Sequence, residues 1–282
     1  MAGADGAPRS GRPAAGHRPG RLRVGPAQGD RPVSDRTTET FWSALRAETP
    51  ARVGLHRVGD GVGTRHVLEA AEAHAFARDA VHGHLDVPAL AAELDSLGLG
   101  PALHVPSKAL DRATYLTRPD LGRMPGELPP LRADRADLCV VLADGLSAEA
   151  VHRHAVPVLR ELLPLLDAGT TVAPPVVATQ ARVALGDHVG AVLRAALVLV
   201  LVGERPGLSS SDSLGAYLTW APAPGVQDSA RNCVSNIRPP HGLDHASAAR
   251  TLARLIGGAR RLGATGVRLK DTGELTAPPE PR

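Results

Sequence analysis

The stretch GERPGLSSSDSLGAYLTWAP, Gly203 to Pro222, sets a glutamate, an arginine, four serines and three glycines directly after the apolar run ALVLVLV. A carboxylate accepts hydrogen bonds, serine hydroxyls both donate and accept, and glycine lets a ligand come close to the backbone. A loop of this composition at the end of a buried strand is suited to gripping a polar ligand. The run LCVVLADGLS ends in the same style, with Asp144, Gly145 and Ser147. Ordinary Gly/Ser turns use the same residue types, so spacing alone leaves both readings open.

Several familiar chemistries do not fit. A phosphate-binding P-loop requires Gly, four residues, then Gly-Lys-Ser/Thr, whereas Gly207 is followed by Leu208. None of Ser209, Ser210, Ser211 or Ser213 has glycine two residues away on both sides, which a nucleophile elbow needs. GDGVGT, Gly59 to Thr64, follows VGLHRV and precedes a helical pattern. A second helical pattern comes next, where a dinucleotide fold needs a strand and an acidic residue. His82 and His84 flank Gly83, and His152 and His154 form a similar pair; zinc wants three or four convergent ligands. Exposed histidines at helix ends are the expectation for both pairs. Cys139, mid-strand, reads as a small core residue. Cys233, in RNCVSN with His241 downstream, reads as a strand residue near the same crevice, since a nucleophilic thiolate needs a base and an electropositive setting.

The elements that must position these residues follow from pattern. Residues 1–37 are Gly, Pro, Ala and Arg with few large apolar groups, and are expected to be a disordered tail. Residues 38–121 read as a smaller helical N-terminal domain. Within it Thr64 is placed to cap HVLEAAEAHAFARDAVHG, and Pro88 opens PALAAELDSLG. Residues 122–136 read as a linker, overlapping the Pro/Gly-rich stretch from Pro119 to Pro130. From 137 to 271 strands alternate with helices: LCVVLA, a helix bent at Pro157, TVAPPVV, a helix over 187–194, ALVLVLV, AYLTWAP, CVSNI, a long helix over 244–262, and VRLKD. That rhythm implies an α/β domain with a mostly parallel sheet, whose ligands sit at the carboxyl ends of the strands. Residues 272–282 form a C-terminal tail.

Composition narrows the class. A chain of 282 residues suits one or two domains, and no apolar run reaches membrane-spanning length. Two cysteines cannot build a disulfide framework, and no signal peptide opens the chain, so a cytoplasmic setting is expected. The pI of about 9.3 invites a nucleic-acid partner. The arginines are scattered, however, and aromatics are only 2% of residues, which removes both a basic face and stacking platforms.

The segments VVLADGLSAEAVHRHA, ARVALGDHVG, LVGERPGLSSSDSLGAYLTWAP, RNCVSNIRP and GVRLKD, in this order, resemble the small (light) subunit of ethanolamine ammonia-lyase, an adenosylcobalamin-dependent enzyme. TPARVGLHRVG, ARDAVH and DRATYLTRPDLGR match the same family, so the resemblance runs from about Phe41 to Asp271. Ser211 and Phe76 depart from it, standing where proline and glutamine are expected. The resemblance implies a helical amino-terminal part, a Rossmann-like cobalamin-binding domain and a large-subunit partner in a hetero-oligomer acting on ethanolamine. It also implies a bacterial microcompartment where the host has one. Cofactor contacts fall on Val183, Glu204 and Cys233, with Gly207 permitting close approach and Ser209 on the same loop. It implies no catalytic residue and no metal ligand from this chain. No aspartate has histidine two positions later, so the Asp-x-His-x-x-Gly signature is absent, and the implied binding is base-on. The alternatives are a corrinoid-binding protein without lyase activity and a nucleotide-dependent oxidoreductase built on GDGVGT.

Overall fold

A computed structural model of the protein describes residues 33–128, 135–271 and 273. Two compact units divide between Thr49 and Pro50. The described part of the first is helix α1, Val33–Glu48, in which Phe41 and Trp42 meet edge to face at 5.1 Å. It begins inside the stretch expected to be a tail. The rest of that stretch, most of the 272–282 tail and residues 129–134 of the expected linker lie outside the described residues.

The second unit opens with a hairpin, β1 (Arg57–Val58) and β2 (Gly61–Val62), then α2 (Thr64–His82), α3 (Val87–Asp95), β3 (Leu103–Pro106) and α4 (Arg112–Thr117). It continues with β4 (Leu138–Ala143), α5 (Ala148–Leu162), β5 (Val176–Thr179), α6 (Leu185–Val192), β6 (Leu197–Gly203), β7 (Leu214–Trp220), β8 (Arg231–Ile237) and α7 (His245–Leu262). Side-chain caps, which satisfy the free N–H groups of a first turn, explain several boundaries. Asp86 accepts from Ala89 N–H at 3.0 Å to start α3. Ser147 accepts from Ala150 N–H at 3.2 Å to start α5, and Asp244 accepts from Ser247 N–H at 2.8 Å to start α7. α7 stops at Gly263, whose φ of 64° is the left-handed geometry that glycine tolerates. α2 follows Gly63 without a side-chain cap, so Thr64 is its first residue rather than its capping group. α5 runs through Pro157 to Leu162.

Six strands form one mixed sheet in the order β3-β5-β4-β6-β7-β8. The first four are parallel; β7 and β8 are antiparallel. The reversal comes where β6 and β7 are joined by the serine-rich loop, too short to hold a crossover helix. All seven residues of β6 are buried, as expected of a central strand covered on both faces. On one face Leu199, Leu201, Leu218 and Val234 pack with α5 and α7; on the other Val198 and Val200 pack with Leu185 and Val189 of α6. β3, LHVP, lies within the segment read as helical and forms an edge of the sheet, parallel to β5. So short a strand gives period too little length to distinguish it from helix. A 3-10 turn over Gly266–Arg268 runs into the closing VRLKD.

Candidate functional site

Glu204 is the first residue beyond β6. Its backbone N–H donates to Ser213 O at 2.9 Å and draws the neck of the loop together. Its carboxylate accepts the Ser235 hydroxyl on Oε1 at 2.6 Å, and the Ser213 hydroxyl and Asn236 N–H on Oε2 at 2.6 and 3.2 Å. A carboxylate offers about four acceptor positions, so this one is held rigidly with capacity left over. Room for it depends on Gly215, where a Cβ would stand 2.8 Å from Glu204 Oε1.

Cys233 pairs across the ladder with Tyr217 and is exposed. Ser235 follows it by two positions and so shares its face of the sheet. The Tyr217 phenol and the Cys233 thiol are cross-strand neighbours and each shifts the other's titration. Loss of solvent, and then the neighbouring cysteine, push the Tyr217 phenol upward. Loss of solvent likewise pushes the Cys233 thiol upward, against the pull of Tyr217. It is therefore a neutral thiol rather than a nucleophilic thiolate.

Val183 is half-buried and packs on the same cluster as Tyr217. Its carbonyl accepts Gly186 N–H at 3.0 Å as α6 begins. The loop before it is locked by Asp144, which accepts the N–H groups of Gln180 at 2.8 Å and Ala181 at 2.9 Å. Gln180 has a φ of 53°, an uncommon conformation for a residue other than glycine. Arg112, also buried, donates to Gly145 O at 2.9 Å and lies 3.6 Å from Asp144. Burial pushes the Asp144 carboxyl above its ordinary range, with the backbone donors and Arg112 opposing.

Gly207 and Ser209 lie further out on the same loop. Gly207 forms a tight turn with Ser210 through N–H to O bonds of 2.7 and 3.1 Å. Its φ is not left-handed, and a Cβ would meet nothing closer than 3.9 Å, so the local backbone does not demand glycine. Ser209 donates its hydroxyl to Pro50 O at 3.1 Å, and its carbonyl accepts from Arg238 at 2.5 Å. Those bonds tie it to its own chain, and none joins it to Glu204 or Cys233.

Other sequence candidates resolve into architecture. Gly145 and Gly203 are where the ends of β4 and β6 cross: a Cβ on either would drive into backbone carbonyl oxygen, and Leu146 N–H donates to Gly203 O at 2.9 Å. Gly59 (φ 61°) and Asp60 form the turn of the β1–β2 hairpin, with Val58 opposite Gly61, so GDGVGT is not a strand-to-helix phosphate loop. His154 is buried rather than exposed and shares a 3.0 Å hydrogen bond with His245, while His152 Nε2 accepts Asp86 N–H at 2.9 Å. Cys139 is fully buried, and its thiol is pushed up to about 12. Among the described residues no cluster of three His, Cys, Asp or Glu is placed to hold a metal. A cleft of about 510 Å³, lined by Pro106, Ser107, Lys108, Asp144, Thr179 and Gln180, opens at the ends of β3, β4 and β5, away from the β7–β8 face.

Fold and site together define a mixed-sheet α/β protein whose last two strands present a half-open polar face rimmed by a fixed carboxylate. The family model described as "Ethanolamine ammonia-lyase light chain (EutC)" matches residues 39–270. The ethanolamine ammonia-lyase small subunit of Rhodococcus erythropolis is 48% identical over 237 residues, covering 84% of this chain and 92% of that one. The proteins of the same name from Bradyrhizobium diazoefficiens and Rhodopseudomonas palustris are 52% and 51% identical, over 83% of this chain and 92% and 91% of theirs. The chain belongs to the ethanolamine ammonia-lyase light-chain family.

Proposed function

We propose that the chain works as the small subunit of an ethanolamine ammonia-lyase, alongside a large subunit, and contributes Val183, Glu204 and Cys233 to binding adenosylcobalamin. The observation that carries this reading is the fixed Glu204 carboxylate beside the exposed Cys233 and Ser235. A corrin rim carries amide groups, and a pre-organised acceptor and a hydroxyl on an open sheet face suit such a rim. When bound, adenosylcobalamin supplies the radical chemistry that converts ethanolamine to acetaldehyde and ammonia. This chain's part is to hold and orient: Glu204 accepts, Val183 offers an apolar contact beside Tyr217, and the backbone at Cys233 and Gly207 allows close approach. Ser209 acts through the loop, its hydroxyl bonded to Pro50 and its carbonyl to Arg238, rather than by direct contact with the cofactor.

None of these residues is a histidine, and the Asp-x-His-x-x-Gly signature is missing, which supports base-on binding with no cobalt ligand from this chain. In this reading residues 137–271, with β3 added at the edge, form a Rossmann-like domain after the mainly helical 38–121 segment and the 122–136 connection. The setting is the cytoplasm, or a microcompartment where the host builds one. No described helix is long and apolar enough to cross a membrane.

The test is a spectrophotometric titration of the reconstituted two-subunit enzyme with cyanocobalamin, an unreactive probe. Weaker binding in Glu204→Ala at unchanged subunit assembly is the expected result. Affinity equal to the parent would remove the β7–β8 face from the cofactor site.

A further inference from the structure

We infer that Asp187 and Arg231 form a brace that sets the spacing between the two sides of the cofactor face, an inference that rests on the function just proposed. Val183 stands four residues before Asp187 at the entry to α6, and Cys233 stands two residues after Arg231 on β8. The Arg231 guanidinium meets Asp187 with two parallel bonds, Nη1 to Oδ1 at 2.6 Å and Nη2 to Oδ2 at 2.7 Å. It also donates to Thr219 Oγ1 at 2.8 Å on β7, to Val226 O at 2.9 Å and to Asp228 Oδ1 at 3.3 Å. Those five bonds use all five N–H donors of the side chain. The Arg231 and Asp187 side chains are 2% and 1% exposed.

α6 packs chiefly on β6, two strands away from β8. Apolar contact registers α6 against β6, and the β6–β7–β8 ladder places Cys233 against the same strand, so the tie between the two sides runs through β6 and leaves a direct gap between α6 and β8. The fork between Asp187 and Arg231 spans it, and a bidentate pair fixes both distance and angle. Burying two charges adds little net stability over an apolar pair of similar volume, so what this pair supplies over such packing is geometry. Lysine, a single point charge, cannot reproduce the fork.

The test uses the reconstituted two-subunit enzyme, with cyanocobalamin affinity read by absorbance and the thermal midpoint of the same complex read alongside. Arg231→Lys is expected to weaken cyanocobalamin binding about tenfold, at the low end of what supporting residues around a bound group typically cost. The double variant Asp187→Leu with Arg231→Met is expected to recover most of the midpoint while affinity stays reduced. A purely structural role requires affinity to return with the midpoint, and that result would overturn the brace. So would parent-like affinity in Arg231→Lys. Glu204→Ala, run in parallel, separates the two levels. Weak binding there with normal binding in Arg231→Lys sinks the brace alone, whereas normal binding in both sinks the cofactor assignment beneath it.

Discussion

Ser235 donates its hydroxyl to Glu204 Oε1 at 2.6 Å, joining the loop after β6 to the edge strand 31 residues further along the chain. The bond passes over β7, which lies between the two in the sheet. The carboxylate is aimed by its neighbours before any ligand arrives, and two changes of side chain probe that aim.

Glu204→Gln keeps the shape but replaces one acceptor oxygen with an NH2 group facing donors. Cofactor binding is expected to weaken by about 1 to 3 kcal/mol. Ser235→Ala should weaken it by less, since Oε2 stays engaged by Ser213 and Asn236. Titration of both reconstituted variants with cyanocobalamin checks the order; an equal or reversed ranking contradicts it.

Gly207→Val is a cleaner probe than its glycine character implies. There is open space at Cβ and no left-handed φ. Stability should therefore stay within about 0.5 kcal/mol of the parent. Any loss of cofactor affinity then reports a ligand close to this turn. Thermal unfolding and titration of the same preparation separate the two effects, and unchanged affinity excludes Gly207 from the contact.

Cys233→Ser should leave turnover near the parent value, because the thiol is neutral and its proposed contribution is through backbone. Loss of ammonia release with cofactor still bound would instead assign chemistry to the sulfur.

Acid should loosen the domain through His154 and His245. Burial pushes both imidazoles below the ordinary histidine range. Asp212 opposes this for His154, while the neighbouring His245 and Arg153 reinforce it; Asp244 and Glu161 oppose it for His245. A base whose folded value is depressed takes up more protons when unfolded. The stability it contributes is therefore complete above the ordinary histidine value and is lost as pH falls through the folded one. The thermal midpoint should fall between about pH 7 and about pH 5, and His154→Gln should flatten that slope. A slope unchanged in His154→Gln assigns the transition elsewhere.

Gly145→Ala should destabilise strongly, because φ is 54° and the new methyl meets Gly203 O. The expected loss is about 2 kcal/mol or more. Denaturant unfolding measures it, and a change below about 1 kcal/mol would mean that the β4 and β6 ends part easily.

Much of the architecture can be read from the chain. β4 and β6 announce themselves as unbroken apolar runs, α3 by Pro88 before a periodic stretch, and α7 by a long helical pattern from Asp244. β3 is hidden because LHVP is short and ends in proline. Glu204 and Cys233 came from resemblance to a family, not from spacing. Ser235 carried a usable signal, two positions from Cys233 and thus on its face, but a serine in a strand is too ordinary to stand out without its partner in view. Asp144 stays open in the sequence for a definite reason. An aspartate at a strand end is equally suited to facing a ligand or fastening the next loop, and only burial with two backbone donors distinguishes them. Arg231 and Asp187 are 44 residues apart in sequence, and nothing local in either segment names the other.

The reversal of β7 reaches beyond topology. Up to β6 the chain interleaves helices with its parallel strands and builds the sheet as a filled sandwich. At β7 it doubles straight back, and no described helix covers the exposed Cys233 and Ser235. The sandwich lacks a slice there. Small adjustments to side chains on this face can therefore change what docks without disturbing the leucine and valine core behind it. The chain keeps a permanent interior on one side and a replaceable wall on the other.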